Sequence, residues 1–214
     1  MCRMSAPPSL LDLAPVIPVV VLDDAADAVP LARALVAGGL PAIEVTLRTE
    51  AALDSIRAIN EEVPDALVGA GTVRAPEQVR KAMAAGARFL VSPGSTVRIL
   101  DTMQASGLPF LPGVSTVSET LALLERGIAE LKFFPAEAAG GAPFLKAMAG
   151  PLPQARFCPT GGISPSIAPE YLELSNVGCV GGSWMIPPDA LAEKDWERVT
   201  RLAEEAASLG LGLD

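Results

Sequence analysis

The stretch Ala42-Ile43-Glu44-Val45-Thr46-Leu47, followed by an amphipathic segment over Glu50–Glu61 and then by Leu67-Val68-Gly69-Ala70-Gly71-Thr72-Val73, reads as strand, helix, strand. The two apolar runs are short and bounded by turn residues, as strands are. The same unit recurs in both directions. Further strand-like runs fall at Val16–Leu22, Phe89–Pro93, Pro109–Val114, Glu130–Pro135, Arg156–Thr160 and Val177–Gly181, making eight in all at a spacing of twenty to twenty-six residues. Helix-like stretches separate them: Ala25–Ala37, Ala75–Ala85, Thr96–Ala105, Val117–Arg126, Ala142–Ala149 and Ser166–Leu174, with Asp189–Ser208 closing the chain. Strand–helix alternation implies an α/β fold with a parallel sheet. Eight units in 214 residues predict a single-domain (β/α)8 TIM barrel, preceded by a short N-terminal extension over about residues 1–14. The competing architecture, an open doubly wound sheet, calls for a glycine-rich nucleotide fingerprint after the first strand, and none is present.

Composition bounds the function. Half the residues are hydrophobic and few are aromatic, so the core is built from Ala, Val, Leu and Ile. The formal charge of −9 and the lack of a basic patch argue against nucleic acid as a partner. The longest apolar run, Ala14–Leu22, is too short to span a bilayer, and no signal-peptide pattern surrounds it, so no membrane association is expected. Three cysteines (Cys2, Cys158, Cys179) without framework spacing point to a reducing compartment, the cytoplasm. There is no histidine, which removes Ser-His-Asp and Cys-His catalysis and histidine-ligated zinc. Proton transfer falls to Glu, Asp, Lys or water.

Of the four lysines, Lys81, Lys146 and Lys194 lie in polar or amphipathic stretches, whereas Lys132 sits in the strand-like run Glu130-Leu131-Lys132-Phe133-Phe134-Pro135. Desolvation disfavours the charged form of an amine, and a neutral amine can attack a ketone to form a Schiff base. A strand-end lysine with its head in water is the plainer alternative.

In a barrel the chemistry lies where strands end and loops begin. By period-two alternation Glu44, Thr46 and Arg48 share one face, and so do Lys132 and Phe134. Other strand ends give Gly71-Thr72, Ser92-Pro93-Gly94, Pro159-Thr160-Gly161-Gly162 and Gly181-Gly182-Ser183. Taken singly, Glu44 and Arg48 could be an ion pair and the glycines turns. Taken together, they describe a site in which Glu44 moves protons for an imine at Lys132 and Phe134 keeps water away. Arg48 and Thr72 would hold a carboxylate, and the glycine-rich ends would bind phosphate through backbone amides. That suggests Schiff-base carbon–carbon cleavage of a small, acidic, phosphorylated substrate.

These motifs resemble those of the class I 2-keto-3-deoxy-6-phosphogluconate aldolases, many of which also accept 4-hydroxy-2-oxoglutarate. The resemblance runs from about Pro15 to the C-terminal helix. It rests on Glu44-Val45-Thr46-Leu47-Arg48-Thr49, Val68-Gly69-Ala70-Gly71-Thr72-Val73, Leu131-Lys132-Phe133-Phe134-Pro135-Ala136-Glu137, Phe157-Cys158-Pro159-Thr160-Gly161-Gly162-Ile163 and Gly181-Gly182-Ser183-Trp184. It implies Lys132 as the Schiff-base lysine and Glu44 as the general acid/base. It places Arg48, Thr72, Pro93, Phe134 and Thr160 on the substrate, and Gly161, Gly162, Gly182 and Ser183 on its phosphate. It further implies a homotrimer that uses no metal or organic cofactor. The chain departs from some members in carrying Leu13-Ala14-Pro15 where they have an arginine before the first strand. A galactonate-type aldolase, a phosphosugar isomerase or epimerase, and a non-catalytic phosphosugar-binding module are the competing readings of the same scaffold.

Overall fold

The computed structural model describes residues 9–209. Its strands are β1 (Val16–Val20), β2 (Ala42–Thr46), β3 (Leu67–Gly71), β4 (Leu90–Val91), β5 (Phe110–Leu111), β6 (Gly113–Val114), β7 (Glu130–Phe133), β8 (Arg156–Pro159) and β9 (Val180–Gly182). The helices are α1 (Ala28–Ala37), α2 (Ala52–Glu62), α3 (Pro76–Ala84), α4 (Val97–Ser106), α5 (Val117–Leu124), α6 (Gly141–Ala149), α7 (Ala168–Leu172), α8 (Pro188–Glu193) and α9 (Trp196–Ser208). All pairing is parallel. One curved sheet runs β5-β4-β3-β2-β1-β9 and a second runs β6-β7-β8. Isolated parallel bridges join Phe157 to Val177 and Thr160 to Gly181, between β8 and β9.

The expected elements are present, with shifted ends. The run Pro109–Val114 forms two short strands, because Pro112 has no amide hydrogen to add to the ladder. The last strand begins at Val180 rather than Val177, which keeps only its bridge to Phe157. The last helix is two helices, broken at Lys194, whose backbone is left-handed (φ +56°). No helix among the described residues is long and apolar enough to cross a membrane.

The pleat sorts each strand into an outer and an inner face. Outward residues such as Ile43, Val45, Val68, Leu131, Phe133 and Phe157 pack under the helices in the main core. Inward residues divide by height. At the N-terminal ends of the strands, Ile17, Ala42, Phe89, Leu111, Cys158 and Cys179 form a separate apolar cluster. Leu10 and Leu11, in a 3-10 turn capped by Ser9, close that cluster from below. The part of the N-terminal segment that is described is therefore packed into the fold; residues 1–8 lie outside the described residues. At the C-terminal ends of the strands the inward residues turn polar, and the site begins there.

Candidate active site

Glu44 and Lys132 face each other across the interior. The middle of β2 carries Glu44 inward and the middle of β7 carries Lys132 inward, both almost fully buried (3% and 5% exposed). Lys132 Nζ donates to Glu44 Oε1 at 3.1 Å and lies 3.5 Å from Oε2. Burying two charges costs several kcal/mol per ion unless they are paired. The pair sits directly above the apolar plug, so the fold holds a desolvated amine beside a carboxylate. The alternative of a Glu44–Arg48 ion pair is not realised: Glu44 pairs with Lys132, 88 residues away in sequence.

A glycine makes this arrangement possible. Gly71 is aligned beside Thr46 in the β2–β3 ladder, two positions beyond Glu44. A Cβ on Gly71 would come 2.2 Å from Glu44 Oε1 and 2.5 Å from its Cγ. The carboxylate occupies the volume that a side chain there would fill. Gly69 likewise clears room for the Phe89 ring in the layer below.

Phe134 follows Lys132 on the same face, with its ring centroid 5.5 Å from Nζ. An aromatic face at that distance stabilises the ammonium and excludes water. The ring also borders Gly161, where a Cβ would meet it at 3.3 Å.

Arg48 and Thr72 come together as a second group. β2 ends at Thr46, whose hydroxyl donates to the Val20 carbonyl (3.0 Å), and the Arg48 amide bonds back to the Thr46 carbonyl at 2.8 Å. That turn, rather than strand alternation, places the exposed Arg48 side chain. Its Nε donates to Thr72 Oγ1 at 3.4 Å. Thr72 holds φ at +57°, a left-handed conformation unfavourable for a β-branched residue. Strain of this kind persists where the surroundings enforce it and clusters at functional sites. Among the described residues Arg48 makes no ion pair and has its charge free for a ligand.

The remaining candidates lie at or just beyond the C-terminal ends of β4, β8 and β9. Pro93 lies two residues beyond the end of β4, and its backbone approaches Gly113 so closely that a Cβ there would clash at 2.3 Å. Thr160 directly follows β8, is buried at 7% exposure, and packs against Gly181. Gly161 and Gly162 both have positive φ (+106° and +82°). The amides of Gly161, Gly162 and Ser183 donate no hydrogen bond among the described residues. Unpaired amides on left-handed glycines are the elements of an anion-binding nest. The Trp184 ring lies over Gly182, where a Cβ would fall 1.9 Å from it, and Ser183 is exposed beside it.

Two features escaped the sequence reading. Gly71 lies inside a quoted motif, but its function is steric and shows only when Glu44 is placed against it. Glu137 accepts a hydrogen bond from the buried Tyr171 hydroxyl and packs against Gly162; its partner is 34 residues away. Among the described residues no group of three His, Cys, Asp or Glu side chains could hold a metal ion.

Known proteins resemble this chain in sequence and fold. The family model described as KDPG and KHG aldolase matches residues 8–202. The chain is 54% identical over 198 residues to the KHG/KDPG aldolase of Escherichia coli (strain K12), covering 92% of this chain and 93% of that one. It is 52% identical over 199 residues to the 2-dehydro-3-deoxy-phosphogluconate aldolase of Pseudoalteromonas atlantica, covering 93% of each. Among solved structures, it matches the KDPG aldolase of Legionella pneumophila, crystallised with pyruvate captured at low pH as a covalent carbinolamine intermediate. The TM-score is 0.90 and the identity 48%, over 92% of this chain and 96% of that one.

Proposed function

The chain belongs to the KDPG and KHG aldolase family, and on that premise we propose that it cleaves 2-dehydro-3-deoxy-6-phosphogluconate to pyruvate and D-glyceraldehyde 3-phosphate, with Lys132 as nucleophile and Glu44 as proton carrier. The observation that carries this is the buried Lys132–Glu44 contact of 3.1 Å. The enzyme is a carbon–carbon lyase. A proton-transferring isomerase would have no use for a desolvated amine in this position.

The steps follow from the geometry. Glu44 takes a proton from the Lys132 ammonium, and the free amine attacks the C2 carbonyl of the keto acid. The carbinolamine loses its hydroxyl as water, with Glu44 returning the proton, and a protonated imine results. Arg48 and Thr72 hold the C1 carboxylate, the Arg48 guanidinium offering paired donors. Glu44, through a water, removes the C4 hydroxyl proton. The C3–C4 bonding electrons flow into the imine, giving an enamine, and the aldehyde departs. Protonation of the enamine at C3 and hydrolysis release pyruvate and regenerate Lys132. The imine is the electron sink, so this sequence calls on no metal or organic cofactor. Phe134, Pro93 and Thr160 line the pyruvate end. Gly161, Gly162, Gly182 and Ser183 receive the phosphate through amides and a hydroxyl. The same pyruvate end would accept 4-hydroxy-2-oxoglutarate, giving pyruvate and glyoxylate.

Three wider readings accompany this one. Taking β5 and β6 as one strand interrupted at Pro112, and the bridges between β8 and β9 as a join, we read the sheets as a closed eight-stranded barrel. The Lys132 amide supports this reading, since it donates to the Pro112 carbonyl at 3.0 Å within the interruption. We read the protein as a homotrimer, with Val97 at the start of α4 and Val117 and Leu121 in α5, all exposed, as part of the contact. The cytoplasm fits the free, buried Cys158 and Cys179.

A product assay tests the substrate. The gluconate-type phosphorylated acid should turn over faster than its galactonate epimer, and 4-hydroxy-2-oxoglutarate should turn over detectably. Preference for the galactonate epimer, or isomerised product without pyruvate, would overturn the proposal.

A further inference from the structure

The turn at Gly161 and Gly162 is held in place from outside. Two successive left-handed glycines have wide backbone freedom, and an anion site made from their amides is only as good as their fixed orientation. Glu137 lies against that turn along its length. Its amide donates to the Gly161 carbonyl at 3.1 Å, and the preceding Ala136 amide donates to the Thr160 carbonyl at 2.9 Å. Its side chain fills the space beside Gly162, where a Cβ would meet Glu137 Cγ at 2.8 Å and Cβ at 2.9 Å. Its carboxylate is fixed at the far end by the Tyr171 hydroxyl, which donates to Oε1. Gly141 closes the other side, with its Cβ position 3.4 Å from Glu137 Oε1 and 3.5 Å from the Tyr171 hydroxyl. Tyr171 is anchored in α7 as a core residue, 1% exposed. Burial, with the Glu137 carboxylate adding to it, pushes the Tyr171 hydroxyl well above its ordinary range, so it remains a donor at every working pH.

We infer that Glu137 and Tyr171 form a positioning pair for the phosphate end of the substrate. Tyr171 holds the Glu137 carboxylate, and Glu137 holds the Gly161–Gly162 backbone so that its amides face one anion. The inference rests on the proposed phosphate cradle. Neither residue touches the reacting atoms.

The test is steady-state kinetics of Tyr171→Phe, Glu137→Ala and Glu137→Gln on phosphorylated 2-dehydro-3-deoxygluconate and on unphosphorylated 4-hydroxy-2-oxoglutarate. Thermal unfolding and pyruvate–borohydride trapping serve as checks on folding. Losing the brace should raise KM for the phosphorylated substrate about tenfold in Tyr171→Phe and Glu137→Ala, the scale of one hydrogen bond, with kcat little changed. The unphosphorylated substrate should be unaffected. Glu137→Gln keeps an acceptor for the hydroxyl and the same packing on Gly162, so it should recover most of what Glu137→Ala loses. Equal losses on both substrates, no loss on either, or Gln as damaging as Ala would each overturn the inference. Gly161→Ala separates this from the cradle itself. If Gly161→Ala also spares the phosphorylated substrate, the cradle is wrong. If Gly161→Ala loses that substrate while Tyr171→Phe keeps it, the cradle stands and the positioning pair falls.

Discussion

The Glu44 carboxylate lies over Gly71 in the space where a side chain would be, with Oε1 2.2 Å from the position of a Cβ. One methyl group at residue 71 therefore pushes the carboxylate away from Lys132 while both residues keep their identities. Gly71→Ala should lower turnover about a hundredfold or more, matching Glu44→Gln, the usual scale for loss of general acid–base catalysis. Pyruvate trapping at Lys132 should survive in both, though more slowly. Near-normal turnover in Gly71→Ala would show that Glu44 does its work from another position.

The buried pair also sets a stability pattern. Lys132→Met leaves Glu44 buried without its partner, and removing one member of such a pair costs about 3–5 kcal/mol. Adding Glu44→Gln to Lys132→Met should recover much of that loss, because a neutral amide tolerates the site better than an orphaned carboxylate. Chemical denaturation of the two variants checks this. Additive losses would mean that the two charges do not compensate each other.

Thr72 tests the strained turn. Glycine accepts φ +57° freely, so Thr72→Gly should leave stability unchanged or raise it by up to about 1 kcal/mol, relief of strain offsetting the entropy of glycine. The lost hydroxyl should raise KM about tenfold for both phosphorylated and unphosphorylated keto acids, since both share the carboxylate end. Marked destabilisation with KM unchanged would make Thr72 a structural residue only.

The strand–helix alternation and the places of Lys132 and Glu44 on strands could be read from the sequence because each depends on local pattern: apolar runs bounded by breakers, and a lysine among bulky neighbours. What could not be read depends on contacts between distant segments. The choice between Arg48 and Lys132 as partner of Glu44 turns on β2 and β7 facing each other across 88 residues of chain. Alternation placed Arg48 on the strand face, but the strand stops at Thr46 and a tight turn sets the exposed Arg48 beside Thr72. The steric role of Gly71, the strain at Thr72 and the Glu137–Tyr171 contact have no signature in residue spacing. The break at Lys194 was hidden within an amphipathic pattern that continues through it.

Acid stability should report the lower end of the fold. Arg156 hydrogen-bonds Asp12 and holds its carboxyl below the ordinary aspartate range, more than offsetting partial burial. Asp12 thus contributes stability that is complete above the unfolded value of about 3.9 and is lost as pH falls through the lower folded value. Asp12→Asn should be less stable at pH 7, by under about 1 kcal/mol because both side chains are partly exposed. The difference should shrink as pH falls through the lowered folded value and vanish once Asp12 is protonated in the folded chain. A constant difference from pH 7 to 2 would exclude this linkage.

The central claim is that Lys132 is the amine that forms the imine. Incubation with pyruvate and borohydride in excess chelator, followed by peptide mass spectrometry, tests it directly. The account predicts a single pyruvyl adduct on Lys132, loss of activity in step with labelling, and no effect of the chelator. Label at Lys81, Lys146 or Lys194 with Lys132 unmodified, or full activity with no adduct anywhere, would contradict it.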